Sequence, residues 1–267
     1  MARLAWALLL LLPQEPPPKP RVLSAGHSFH VFMPKILGEI APGHAQLDVQ
    51  SIGGSRVIQH WELADEKNKA KAALRTGKVD VLTLSPIYLP DEGIANFARL
   101  ALEHNPAVRL TVQAFWLPYD VYDPTRKRIE VKDRELSGEE LRGRHAPYFA
   151  SLDEHVRALN RGFGKDVVFV VPVGHAVIAL REKIRAGLAP GLKTQGELFT
   201  DAIGHVRGPV QALTAYAHYA VIYRASPVGL PVPAVLAKEN HGEPLNRLLQ
   251  ELAWEAVAAH PLSGVKR

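Results

Sequence analysis

The sequence predicts an α/β chain, a three-layer α/β/α sandwich on five parallel strands, and three observations predict it. Short β-rich apolar runs recur at residues 21–25, 46–52, 79–84, 108–115 and 167–172. Amphipathic stretches at 31–40, 61–76, 91–103 and 147–162 separate them. Each of those stretches is long enough for the right-handed crossover that joins parallel neighbours. Five strands linked in this way give a flavodoxin-like sheet with helices on both faces. At 267 residues and 47% hydrophobic content, the chain can bury one full core.

Ahead of the first strand, Arg3 precedes an apolar run that ends at Pro13, the order of a secretory signal's charged and hydrophobic regions. The run is roughly ten residues, where a membrane-spanning helix needs about 20. A cleaved leader is therefore expected, with export to the periplasm or medium and no stable membrane anchor after processing. Gln14 to Pro20 is rich in proline and reads as an extended linker. Residues 1–20 are thus set apart from one domain over 21–267.

Strand one, Arg21-Val-Leu-Ser-Ala25, runs into Gly26-His27-Ser28 and then a helix, which puts Ser28 at the carboxyl edge of the strand. Gly26 permits a tight turn there, and main-chain N–H groups at the following helix start favour nearby negative charge. The same pattern serves a plain turn or helix cap. Strand two ends in Ser51-Ile-Gly53-Gly54-Ser55, whose glycine N–H groups face the same edge. After strand four, residues 119–146 mix Asp123, Arg126, Lys127, Arg128, Lys132, Asp133, Arg134, Glu139 and Arg142 with little periodicity. This charged excursion is read either as a border of the ligand site, where open parallel sheets bind, or as a solvated insertion. Trp116, Tyr119 and Tyr122 at its start are available to stack on sugar rings or to pack beneath it.

The last third reads as helical at 176–188 and 210–223, and Leu245, Leu248, Leu249, Leu252 and Ala256 repeat on one helical face. Pro227 and Gly229 stop the helix before them. Just ahead of 210–223, Asp201-Ala-Ile-Gly-His205 offers a base and a carboxylate that, on a helical turn, share one face.

Charge and composition narrow the chemistry. Lys and Arg total 32 against 27 Asp and Glu, a formal +5, with no run alternating basic and aromatic residues, so nucleic acid is not an expected partner. The chain has no cysteine, which excludes disulfides, thiolate catalysis and Cys-ligated zinc. A histidine metal site from His27, His30 and His205 or His175 lacks a carboxylate at ligand spacing beside the pair. No cofactor is expected. His175 reads as a helix-start residue and His218 as a buried core histidine.

In their order, these blocks resemble the SGNH (GDSL-like) hydrolase superfamily. Gly26-His-Ser28-Phe29 resembles its first block, with His27 where many members have Asp or Asn. Ser51-Ile-Gly-Gly-Ser55 followed by Trp61 resembles the second block of a Gly-Gly-Ser subgroup, exported and bacterial. The helix Ala215-Tyr-Ala-His-Tyr-Ala-Val-Ile-Tyr223 leading to Ser226-Pro-Val-Gly-Leu-Pro231 resembles that subgroup's tail, so the likeness runs over about residues 21 to 231. It implies ester hydrolysis through an acyl-enzyme, with Ser28 as nucleophile, His205 as base and Asp201 orienting it. The oxyanion donors it implies are the Ser28 and Gly54 N–H groups. A small-molecule or carbohydrate ester is the substrate class implied. Two departures stand out. The family's Asp-x-x-His is one residue longer here, and the third block reads Leu84-Ser85-Pro-Ile-Tyr88 without its Asn, leaving Ser85 to substitute or the hole to rest on two donors. A non-catalytic ligand-binding module on a degenerate version of the fold is the alternative.

Overall fold

The computed structural model describes residues 19–123 and 134–266. The leader and nearly all of the Pro-rich linker lie outside the described residues, as does the middle of the charged excursion. Five strands form one sheet: β1 (Arg21–Gly26), β2 (Ala45–Ser51), β3 (Val81–Leu84), β4 (Arg109–Gln113) and β5 (Val168–Val171). Their order is β2-β1-β3-β4-β5 and every pairing is parallel. This is the flavodoxin-like α/β/α arrangement.

Strands of this sheet are largely apolar because both of its faces are covered. Val81-Leu-Thr-Leu84 and Val168-Phe-Val-Val171 have every residue buried. Successive side chains alternate between two cores. Val22, Val81 and Val171 enter one core, while Leu23, Leu82 and Val170 enter the other.

Helices α1 (Met33–Ile40), α6 (Val173–Arg185), α7 (Gly208–Tyr223) and α9 (Glu243–Ala259) cover the first face. Short α8 (Ala234–Ala237) packs against α7. Helix α7 is buried almost all round, which places it at the centre of that layer. On the other face lie α2 (Val57–Trp61), α3 (Lys69–Arg75), α4 (Glu92–His104) and α5 (Gly138–Phe163). Among the described residues no helix is long and apolar enough to cross a membrane.

Two helices differ from the sequence expectation. The stretch 61–76 is broken into α2, a 3-10 turn at Asp65–Lys67, and α3. Asn68 causes the break: its side chain caps α3 at Lys71 N and donates back to His60 O. Buried Asp91 starts α2 early by accepting the N–H groups of Val57 and Ile58 at 2.8 and 2.9 Å, and it also caps α4 at Gly93 N. Helix α5 begins at Gly138, ahead of Pro147, because Ser137 and Glu140 form a reciprocal capping box. Pro147 then lies inside the helix. Residues 138–146 thus belong to a regular helix and leave the excursion shorter than its charge pattern suggested.

Candidate active site

Ser28 follows β1 in a tight turn in which His30 N and Val31 N both donate to His27 O. The helix expected directly behind it starts only at Met33. The turn stands outside the carboxyl end of β1, next to β3, where the strand order reverses, and crevices for ligands form at such points. From Val22 to His30 every residue is buried except Ser28. Buried neighbours therefore fix the main chain while the hydroxyl faces out. Gly26 is required here: a Cβ on it would lie 2.5 Å from Nδ1 of the buried His30.

The Asp201–His205 segment is a closed loop rather than a helical turn, which corrects the sequence expectation. Thr200 N donates to His205 O, and Phe199 pairs with Val206 in an isolated antiparallel bridge. Asp201 Oδ1 accepts Gly204 N–H and His205 N–H at 2.9 and 3.1 Å. Gly204 has φ +102, a conformation that favours glycine. Folded in this way, the loop brings His205 Nδ1 to 2.7 Å from Asp201 Oδ2 and His205 Nε2 to 3.0 Å from Ser28 Oγ. The extra residue between Asp and His, relative to Asp-x-x-His, is absorbed by the loop. Both side chains stay partly wet, His205 at 41% and Asp201 at 44% exposure. Burial pushes the Asp201 carboxyl up, but the bonds from the His205 ring and from the two N–H groups outweigh it and hold its pKa below the ordinary value.

Ring contacts support His205. Phe29 meets the His205 ring edge-on at 5.3 Å and stacks on Trp116 at 4.8 Å. Trp116 is only 1% exposed and donates its indole N–H to Gly204 O at 2.8 Å. Of the two readings open for it, packing holds, and it is no platform for a sugar. Tyr122 packs against Tyr148 and Tyr88.

Ser85, at the end of β3, meets the histidine of the turn. Its hydroxyl is buried and 3.0 Å from His27 Nε2, while His27 Nδ1 accepts Phe29 N–H at 3.3 Å. The ring's Nε2 proton thus points to Ser85 Oγ, which accepts it and keeps its own proton to donate. Burial, then the nearby His60 and His205, push the His27 pKa down to about 4, so this ring is a neutral prop under the Ser28 turn. Gly54 sits with φ +61 in an exposed turn after β2. Ile52 N donates to Gly26 O, joining that turn to the end of β1. Ser55 and His60 brace it from within, Oγ to Nε2 at 2.8 Å. The role of His60 carried no sequence signal, since nothing local marks a contact made after the chain turns back.

The other histidines lie elsewhere. His30 and His218 face each other, fully buried, with ring centroids 5.3 Å apart, and His218 Nε2 is 2.9 Å from Gln113 Oε1. His175 stacks on Phe149 beside His260, between α5 and α9. Among the described residues no three His, Cys, Asp or Glu side chains converge as metal ligands.

No protein-family model matches this chain, and no curated protein matches it. Among solved structures it is similar to a protein from Parabacteroides merdae ATCC 43184, provisionally described as a GDSL-like lipase. That likeness is at 15% identity over 75% of this chain and 94% of the other, with a TM-score of 0.44.

Proposed function

We propose that the chain is a serine ester hydrolase of the SGNH (GDSL-like) type, exported by its leader and acting on a small or carbohydrate ester. One observation carries the reading: Ser28 Oγ, the His205 ring and the Asp201 carboxylate stand in line at 3.0 and 2.7 Å, with the serine and histidine 177 positions apart in the chain. Such a chain of contacts is what an alcohol nucleophile needs at neutral pH.

Asp201 accepts the Nδ1 proton of His205 and so leaves Nε2 as the proton acceptor. Ser28 gives its proton to Nε2 as its oxygen attacks the ester carbonyl. The Ser28 and Gly54 N–H groups hold the oxyanion. His205 then returns the proton to the leaving alcohol, and a water activated by the same nitrogen hydrolyses the acyl-enzyme. The family's third-block Asn is missing here, so Ser85 substitutes for it or the hole rests on the two main-chain donors. One missing donor costs on the order of 10²–10³ in rate in other serine hydrolases, so a slow or specialised enzyme is expected.

The rival is a ligand-binding module, favoured by His27 in the first block and by the missing Asn of the third. Fluorophosphonate labelling separates the two. The hydrolase reading expects modification at Ser28, turnover of short-chain nitrophenyl esters or acetylated sugars, and loss of both in Ser28→Ala. Unmodified Ser28, or undiminished turnover in Ser28→Ala, removes the serine from the mechanism.

A further inference from the structure

Four consecutive carbonyls of the loop bearing Asp201 and His205 accept hydrogen bonds from the one stretch of chain that follows β4. Asp201 O and Ala202 O accept from Arg134 Nη2 at 3.1 and 2.5 Å. Ile203 O accepts from Tyr119 N at 3.2 Å, and Gly204 O from Trp116 Nε1 at 2.8 Å. The loop itself is largely exposed from Asp201 to Ile203, so packing alone does not fix it.

The gripping stretch is in turn anchored in the core. Asp120, 1% exposed, accepts from Arg181 Nη1 at 2.5 Å and from Arg134 Nη1 at 3.2 Å. Arg181, equally buried, donates Nη2 to Arg134 O at 2.6 Å and Nε to Gln195 Oε1 at 2.6 Å. Tyr119 and Asp120 both take φ 56, in the left-handed region that non-glycine residues seldom enter. That conformation directs the Tyr119 N–H at Ile203 and the Asp120 carboxylate at the two guanidiniums. The Arg134 guanidinium also lies 4.2 Å from the centre of the Phe199 ring, at the base of the loop.

We propose that Arg134 is a positioning residue for the candidate triad: through the carbonyls of Asp201 and Ala202 it holds His205 within proton-transfer reach of Ser28. Its planar fork bonds Asp120 with one nitrogen and the loop with the other. A lysine, as a single point charge, cannot span both. The charged excursion then serves the site by gripping the base's loop, whatever else it borders.

The inference rests on the hydrolase reading, and the experiment separates the two. Wild type, Arg134→Met and Arg134→Lys are compared by steady-state hydrolysis of p-nitrophenyl acetate, by fluorophosphonate labelling and by amide hydrogen exchange over residues 200–206. Arg134→Met is expected to lose about 10–100-fold in kcat with KM within about threefold, since small misplacement of a catalytic group costs up to about 10². Its loop exchange rises about tenfold or more, and Arg134→Lys falls between it and wild type. Unchanged kcat and unchanged loop exchange in Arg134→Met overturn the proposal. Should that variant fail to fold, wild-type values in Arg134→Lys overturn it instead. If the wild type neither labels nor turns over esters while the variants still exchange faster, the hydrolase reading falls and the grip on the loop stands.

Discussion

The turn that carries Ser28 and the loop that carries His205 come within 3.0 Å of each other, yet they are held by different means. The turn is seated on a strand buried from Val22 to Gly26, with His27, Phe29 and His30 packed inward and only the serine outside. The loop lies at the surface, and its main chain is gripped by Trp116, Tyr119 and Arg134 from a distant segment. Burial places Ser28, whereas a set of directed hydrogen bonds places His205. A core can fix a position only for residues that face it, so a partly wet histidine is fixed through its backbone.

Three changes test that contrast, beginning with the largest effect. On the loop, Asp201→Asn keeps an oxygen for Gly204 N–H and His205 N–H but offers His205 Nδ1 an amide. The wrong tautomer should then dominate, and kcat should fall about 10²–10³-fold, somewhat less than in a fully buried triad because Asp201 is half in water. The fold should persist by circular dichroism. A kcat within about threefold of wild type would detach Asp201 from the reaction.

Acid should act on the buried rings, of which His27 lies in the turn and the rest are spread through the fold. Burial lowers the pKa of His27, His60, His145 and His175 to about 4 and that of His218 to about 3, from an ordinary 6.5. Between pH 6.5 and about 4 the unfolded chain takes up protons that the folded chain refuses. Stability is therefore full above 6.5 and declines as pH falls through that window. Each ring opposes protonation by on the order of a few kcal/mol, so thermal melts should shift steadily downward from pH 7 to pH 4. A flat melting temperature across that range would mean that these rings are not buried neutral.

The smallest effect should come from Gly26→Ala, which drives a methyl against the His30 ring. Overpacking of this kind costs about 1–3 kcal/mol, readable as a lower midpoint in urea. An unchanged midpoint would show that the floor of the turn yields easily. That result would erase the difference between the rigid turn and the gripped loop.

The sheet was legible because its signal is local. The apolar runs at 21–25, 79–84 and 167–172 lie on β1, β3 and β5, since hydrophobic alternation and crossover length are properties of neighbouring residues. The break at Asn68 was not, for it turns on a bond to His60 O that only the folded backbone presents; the start of α5 rests on a local Ser-x-x-Glu capping box that the surrounding charge obscured. In the site, Ser28, Asp201 and His205 could be picked out by residue type and by order along the chain. Their distances could not, nor could the bond between Ser85 and His27, which joins the ends of two strands.

What the sequence determined by itself was therefore the layer architecture and a shortlist of chemically competent side chains. The tertiary structure alone decided that Asp201 and His205 sit on a gripped loop instead of a helix, that Trp116 is a support rather than a surface, and that Arg134 reaches the loop's carbonyls. Hydrophobic periodicity is written within a dozen residues. A hydrogen bond between segments 67 or 177 positions apart exists only once the rest of the chain has fixed where each end lies.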